Sequence, residues 1–164
     1  MAFRSKLFLL SETEFKKYAD KLGDYDWWWL RTPSESDDTG RTYAKVVIGD
    51  KKVIGYNVAD SRNVRVRPAA YVHHELIGRL PHDPKDADKV FLGYLGGKME
   101  WIVADKGKGL LVADFLIDYK LFDTATNNYE KAEINHLLKS IYASMKDKNG
   151  FMDAMIDGEG SDRI

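Results

Sequence analysis

Three tryptophans in succession, Trp27-Trp28-Trp29, constrain this chain more than any other stretch of it. On an extended strand, successive side chains leave on opposite faces, so Trp27 and Trp29 would share one face and Trp28 would take the other. Each indole carries roughly 150–250 Å² of surface that is better placed away from water. Both faces of such a strand must therefore be covered by other parts of the chain, unless one face is a contact surface for a partner. Core burial is the commoner fate of each ring.

The chain is long enough to provide that cover. Its 164 residues, 44% hydrophobic and 31% charged, lie in the range of one domain with its own core. It contains no cysteine, so disulfides, zinc–thiolate sites and thiol nucleophiles are excluded, and the expected location is the cytoplasm. No apolar run approaches the ~20 residues of a membrane span. Arg4 and Lys6 interrupt the apolar start, so neither a secretory signal nor a membrane partner is expected.

Patterning along the chain predicts an α+β fold. Residues 6–10 form a short apolar strand that stops at Ser11, where Glu14 three residues on completes a capping box and Leu10 and Phe15 form a hydrophobic staple. Phe15, Tyr18, Ala19 and Leu22 repeat at helical spacing, and Gly23 ends the helix. Strands rich in aromatic and β-branched residues are expected at 27–31, 43–48, 53–58 and 64–72, with Gly49-Asp50-Lys51-Lys52 as a hairpin connection. Residues 73–89, broken by Pro81 and Pro84, read as a connector. Strands at 90–95, 99–104 and 109–114 then form a meander with turns at Gly96-Gly97 and Lys106-Gly107-Lys108-Gly109. Asn127 or Asn128 caps a longer helix, along which Ile134, Leu137, Leu138, Ile141, Tyr142 and Met145 recur at three- and four-residue steps. Residues 151–156 suggest one or two more helical turns, and 158–164 read as a frayed tail. The expectation is a single domain of twisted antiparallel sheets and two main helices, with pseudo-halves 1–72 and 90–156.

Few residue groupings point to chemistry. Lys106-Gly107-Lys108-Gly109 lacks the spacing of a phosphate-binding loop and joins two strands, so a plain hairpin turn is expected. His73 and His74 are adjacent and point to opposite faces of an extended segment; with Glu75 and His82 they read as solvated loop residues, not a metal site. The acidic run from Asp157 to Asp162 lacks the terminal bidentate glutamate of a calcium loop. No G-x-S-x-G elbow is present. Catalytic residues, metals and cofactors are accordingly not expected. Arg31, Arg65 and Arg67 beside aromatic residues could stack on bases. Residues 1–82 carry only 14 Lys+Arg against 11 Asp+Glu, however, and 83–164 carry 11 against 15, which leaves little phosphate-driven affinity and argues against a nucleic-acid partner.

Four spaced motifs support a resemblance: Phe8-Leu9-Leu10-Ser11, Trp28-Trp29-Leu30-Arg31-Thr32-Pro33, Tyr43-Ala44-Lys45-Val46-Val47 and Val64-Arg65-Val66-Arg67-Pro68-Ala69. In that order they resemble the F-L-L-S, W-W-L-R-S-P, A-x-x-V and G-V-R-P-A signatures of a bacterial and phage domain family of unknown function, whose closing sheet is similar to C-type-lectin-like folds. Thr32 stands where that family has serine, and Asn63-Val64 where it has Gly-Val. The second half, with Val90-Phe91-Leu92-Gly93, Glu100-Trp101-Ile102-Val103 and Leu110-Leu111-Val112, resembles the portion that usually comes first. The resemblance therefore implies a permuted order of halves, in which the helix over 129–145 and the 151–156 segment end beside residues 7–10. It also implies that Arg31 and Arg67 organise the sheet by pairing with carboxylates.

The function expected on this basis is a non-enzymatic protein-binding module, a phage or mobile-element protein that binds or inhibits a host or defence protein. A saccharide-binding module of a phage adsorption apparatus and an enzyme of unrecognised type are the alternatives. The expected contact surface is the polar loop with Ser34, Glu35, Asp37, Asp38 and Arg41, together with whichever of Trp27, Trp28 and Trp29 is exposed.

Overall fold

The computed structural model describes residues 2–35 and 39–161. The chain forms β1 (Ala2–Ser5), α1 (Glu12–Tyr18), β2 (Trp28–Ser34), β3 (Tyr43–Ile48), β4 (Lys52–Asn57), β5 (Arg65–Val66) and β6 (Ala69–Val72). It continues through β7 (His82–Asp83), β8 (Asp86–Tyr94), β9 (Lys98–Asp105), β10 (Leu110–Ala113), β11 (Ile117–Tyr119), α2 (Glu133–Ser144), β12 (Met155–Ile156) and β13 (Gly158–Ser161).

These strands build three sheets, ordered β12-β6-β10-β9-β8-β7, β11-β5-β2-β3-β4 and β1-β13. Among the described residues the pairing is antiparallel except where Trp28 of β2 meets Arg65 of β5. The fold is α+β with mostly antiparallel sheets, as the patterning predicts. Neither pseudo-half closes a sheet alone: β6 lies between β12 and β10, and β11 forms the edge beside β5. One continuous apolar cluster joins the halves, with Phe8, Trp28 and Trp29 in the same core as Trp101, Phe122, Tyr129 and Leu138.

Local sequence explains much of this. Ser11 Oγ accepts from Glu14 N at 3.1 Å, and Glu14 Oε1 accepts from Ser11 N at 2.8 Å, so the capping box starts α1 where expected. The helix bridges two sheets. Phe15 packs edge-on against Trp28 at 5.3 Å, while Tyr18 Oη donates to Asp105 Oδ2 of β9 at 2.7 Å. The Lys106 to Gly109 turn joins β9 to β10; Gly109 has φ +75° and lies so close to Val72 O that no Cβ fits.

Several boundaries differ from the sequence reading. Residues 6–10 are not a strand: Phe8 makes a single two-way bridge to Ala69, with N–H···O distances of 3.0 and 2.7 Å. Asn128 caps a 3-10 turn over Tyr129–Lys131, and α2 starts only at Glu133, whose N–H donates to Asp123 Oδ1 at 2.9 Å. Residues 151–156 give a 3-10 turn and then β12. The connector 73–89 carries its own 3-10 turn, β7 and the start of β8.

The largest correction concerns the tail. Residues 158–161 are not frayed but form β13, which pairs with β1 from Ala2↔Ser161 to Ser5↔Gly158. The two described ends of the chain thus lie side by side. Lys6 Nζ also donates to Met155 O at 3.2 Å, and Leu9 N to Tyr129 Oη at 3.2 Å. These contacts set residues 6–9 beside Tyr129 and Met155.

Candidate functional site

Two of the residues expected to form a contact surface lie in the core. Trp28 and Trp29 have no accessible surface and cannot touch a partner in the folded state, which corrects the expectation for both. Trp28 Nε1 donates to Tyr25 O at 3.0 Å; Trp29 Nε1 donates to Lys120 O at 2.7 Å, and its ring meets Phe122 at 5.5 Å. Burying both rings with their N–H groups satisfied is favourable, so neither is free to leave. Trp27 stands before the strand, half-buried, with φ +56° and its ring edge-on to Tyr56 at 5.3 Å.

Ser34 ends β2 in a half-buried position beside Gly55, and Glu35 and Arg41 are exposed. Asp37 and Asp38 lie outside the described residues. Six residues of β2, 28–33, separate Trp27 from Ser34 at the start of this loop. Tyr56, whose ring Trp27 meets, follows Gly55, which lies against Ser34.

The two arginines organise the interior in different ways. Arg31, 3% exposed, donates from Nη1 to Glu14 Oε1 and to Leu9 O, and its guanidinium lies 4.7 Å from the centre of the Phe3 ring. It ties β2 to α1 and the N-terminal segment, as a carboxylate-paired organiser should. Among the described residues Arg67 has no carboxylate in contact, contrary to expectation. Its Nε donates to Ala113 O at 2.8 Å and its Nη2 to Leu22 O at 2.5 Å, between the faces of Tyr25 (4.7 Å) and Trp28 (5.0 Å). Ring faces and backbone carbonyls replace a counter-ion here. Burial lowers its pKa to about 10.

A surface the sequence did not single out lies at the tip of the β8–β9 hairpin. The turn passes through Gly96 at φ +70°, Leu95 N donates to Gly97 O at 3.0 Å, and Leu95 is left 42% exposed. Concavities lie on both sides of Lys98. One, of about 490 Å³, is walled by Leu95, Met99, Phe115 and Ile117 over Glu100 and Asp114. Tyr119, 44% exposed, stands two residues beyond Ile117 on β11, with the Arg65 guanidinium 4.5 Å from its ring centre. The other, of about 460 Å³, lies between β8 and the segment after α2 and includes Phe91, Tyr94, Lys98, Lys148 and Phe151.

The floor of the first groove is acidic. Burial raises the Glu100 pKa, and the hydrogen bond and charge of Asp114 raise it further. Lys89 Nζ stands 3.0 Å from Asp114 Oδ2. Two carboxyl groups beneath an apolar rim are suited to receive a basic side chain attached to an apolar one. Among the described residues, no group of three or more His, Asp or Glu is placed to hold a metal ion, and His73, His74 and Glu75 are exposed.

Phe115 and Ile117 fall just outside the predicted meander, and Leu95 ends a predicted strand. The available signal was the Gly96-Gly97 turn, which forces the residue before it to a hairpin tip. Compared with protein-family models, curated proteins and solved structures, the chain matches none of them.

Proposed function

We propose that this chain is a non-enzymatic protein-binding module that engages its partner through the groove beside the β8–β9 tip. The observation that carries the reading is the apolar rim there: Leu95, 42% exposed, stands with Met99, Phe115 and Ile117 around the groove. An apolar rim beside hydrogen-bonded strands is what a protein contact uses, since little conformational freedom is lost on binding. The Glu100–Asp114 floor adds a preference for a basic residue in the partner.

The reading extends to a C-type-lectin-like scaffold made by a phage or mobile element and acting on a host or defence protein in the cytoplasm. The adjacent chain ends, the shared sheets and the lack of cysteine support it. A saccharide module would need an exposed indole platform, and two of its three candidate rings are in the core.

The test is comparative affinity capture from a bacterial host lysate with tagged wild-type protein and with Leu95→Asp. One stoichiometric protein recovered by the wild type and lost with the variant is the expected result. Equal recovery by both proteins, or no stoichiometric protein at all, overturns the proposal.

A further inference from the structure

The second concavity has a different chemistry from the apolar groove, and it carries an inference beyond the protein-binding reading. Its two cations are held on aromatic faces: Lys148 Nζ lies 3.7 Å from the centre of the Tyr94 ring, and Lys98 Nζ 5.5 Å from that of Phe91. Among the described residues neither ammonium is within ion-pair distance of a carboxylate, although Asp147 lines the same space. With one aspartate and two lysines, the lining is net positive.

The walls are fixed independently of any ligand. Lys146 N donates to Tyr94 O at 2.8 Å, which clamps the segment after α2 onto β8. Gly93, at φ +79°, leaves room for the Met145 methyl where any other residue would place its Cβ. The remaining lining is partly apolar, with Pro81, Leu92 and Phe151, and the space measures about 460 Å³. That volume lies within the range of small-ligand sites, about 300–1,000 Å³.

We infer that this concavity is a binding site for a phosphomonoester with a flat, partly apolar body of mononucleotide size. Two ammonium groups act as point charges for a dianion. Phe151 and Pro81 face the body, and the Asn149 amide supplies further hydrogen bonding at the rim. Lysines that rest on ring faces give up only a weak contact when a phosphate takes them, whereas lysines in ion pairs would first have to break them.

The test is calorimetric titration of the full chain with adenosine 5′-monophosphate, adenosine and inorganic phosphate, repeated on the double variant Lys98→Met with Lys148→Met. Both lysines are exposed, and methionine keeps an unbranched apolar stem on each ring, so the fold should persist; an unchanged amide spectrum checks this. Saturable binding of the nucleotide is expected, at least about tenfold tighter than either fragment and at least about tenfold weaker in the double variant. Amide shifts should centre on Gly93, Tyr94 and Asn149. Leu95→Asp should leave nucleotide binding intact, so this site and the protein-binding groove stand or fall separately. The inference is overturned if the nucleotide does not saturate, if either fragment binds as tightly, if the double variant binds equally well, or if the shifts lie elsewhere.

Discussion

Glu14 and Arg31 are joined through one carboxylate oxygen that does two jobs: Oε1 accepts from Ser11 N at the start of α1 and from Arg31 Nη1 inside the sheet. Helix capping and sheet organisation are therefore one interaction. Arg31 is 3% exposed, and its remaining contacts include Leu9 O and the Phe3 ring.

Removing Glu14 should consequently cost much more than losing a surface ion pair. Glu14→Ala leaves a buried cation without this carboxylate and opens the capping box, and should destabilise the protein by about 3 kcal/mol. Glu14→Gln keeps the box geometry and should fall between the two. Lys16→Ala, which breaks the exposed pair with Glu12, should leave stability within experimental scatter. Urea unfolding midpoints at constant m-value decide this; equal shifts for Glu14→Ala and Lys16→Ala would refute the coupling.

The start of α2 makes stability depend on acid. Burial alone would raise the Asp123 pKa, but N–H groups of Thr126, Ala125 and Glu133 all donate to its carboxylate and bring it below the ordinary 3.8. Its folded-state pKa is depressed, so its contribution is fully present above about pH 4 and is lost as pH falls through the folded value. Asp123→Asn should be less stable than wild type at pH 7 and should lose less stability on acidification. Thermal melts across that window measure both; parallel melting curves for the two proteins would count against it.

These two sites also show what the sequence could and could not reveal. The Ser11 and Glu14 box is legible because its partners are three residues apart on one helical turn. The role of Asp123 is not legible because its bond to Glu133 N spans ten residues through a loop, while Asn128, closer in sequence, caps only a 3-10 turn. Pairing of β13 with β1 joins opposite ends of the chain, and no local pattern encodes it. Trp27 reads as part of a strand because alternation assumes extended backbone throughout, and its φ of +56° breaks that assumption. The apolar groove is a meeting of the β8–β9 and β10–β11 connections, so its residues are adjacent only after folding.

Glu100 should behave in the opposite sense to Asp123. Its pKa is raised above the ordinary 4.5, so in the folded protein the ionised form is the disfavoured one. Glu100→Gln removes the repulsion with Asp114 while Lys89 stays paired to Asp114. The variant should melt above wild type at neutral pH, and the advantage should vanish as pH falls to the ordinary carboxylate range. A variant that melts lower at pH 7 would show that the carboxyl group stabilises the groove floor in its charged form.

The β3–β4 turn carries removable strain. Asp50 and Lys51 both adopt left-handed backbone, at φ 61° and 60°. Aspartate tolerates that conformation through local hydrogen bonding, but lysine has no such compensation. The ion pair of Lys51 with Asp20, at 3.3 Å, reaches a fully exposed partner and offers little in return. Lys51→Gly should raise stability by about 1 kcal/mol, allowing for the greater freedom glycine adds to the unfolded chain. Denaturant unfolding checks it; a lower midpoint would mean the lysine stem contributes more than its backbone costs.

Adjacency of the chain ends yields the strongest test of the fold's organisation. Ala2 and Ser161 are direct partners in the β1–β13 pair, so a short flexible linker can join the old ends without crossing the core. The turn between β7 and β8, at Pro84 and Lys85, is exposed and lies within the segment between the two pseudo-halves. Opening the chain there, so that it runs from 85 to 164, through the linker, and on from 1 to 84, restores the order of halves that the motif resemblance implies. Both large sheets draw strands from each half, so their pairing does not depend on which half comes first. The permutant should therefore fold cooperatively and melt within a few degrees of wild type, with the same near-ultraviolet circular dichroism from the buried tryptophans. A permutant that expresses only as a molten or aggregated species would show that the 84–85 connection is needed to assemble the six-stranded sheet.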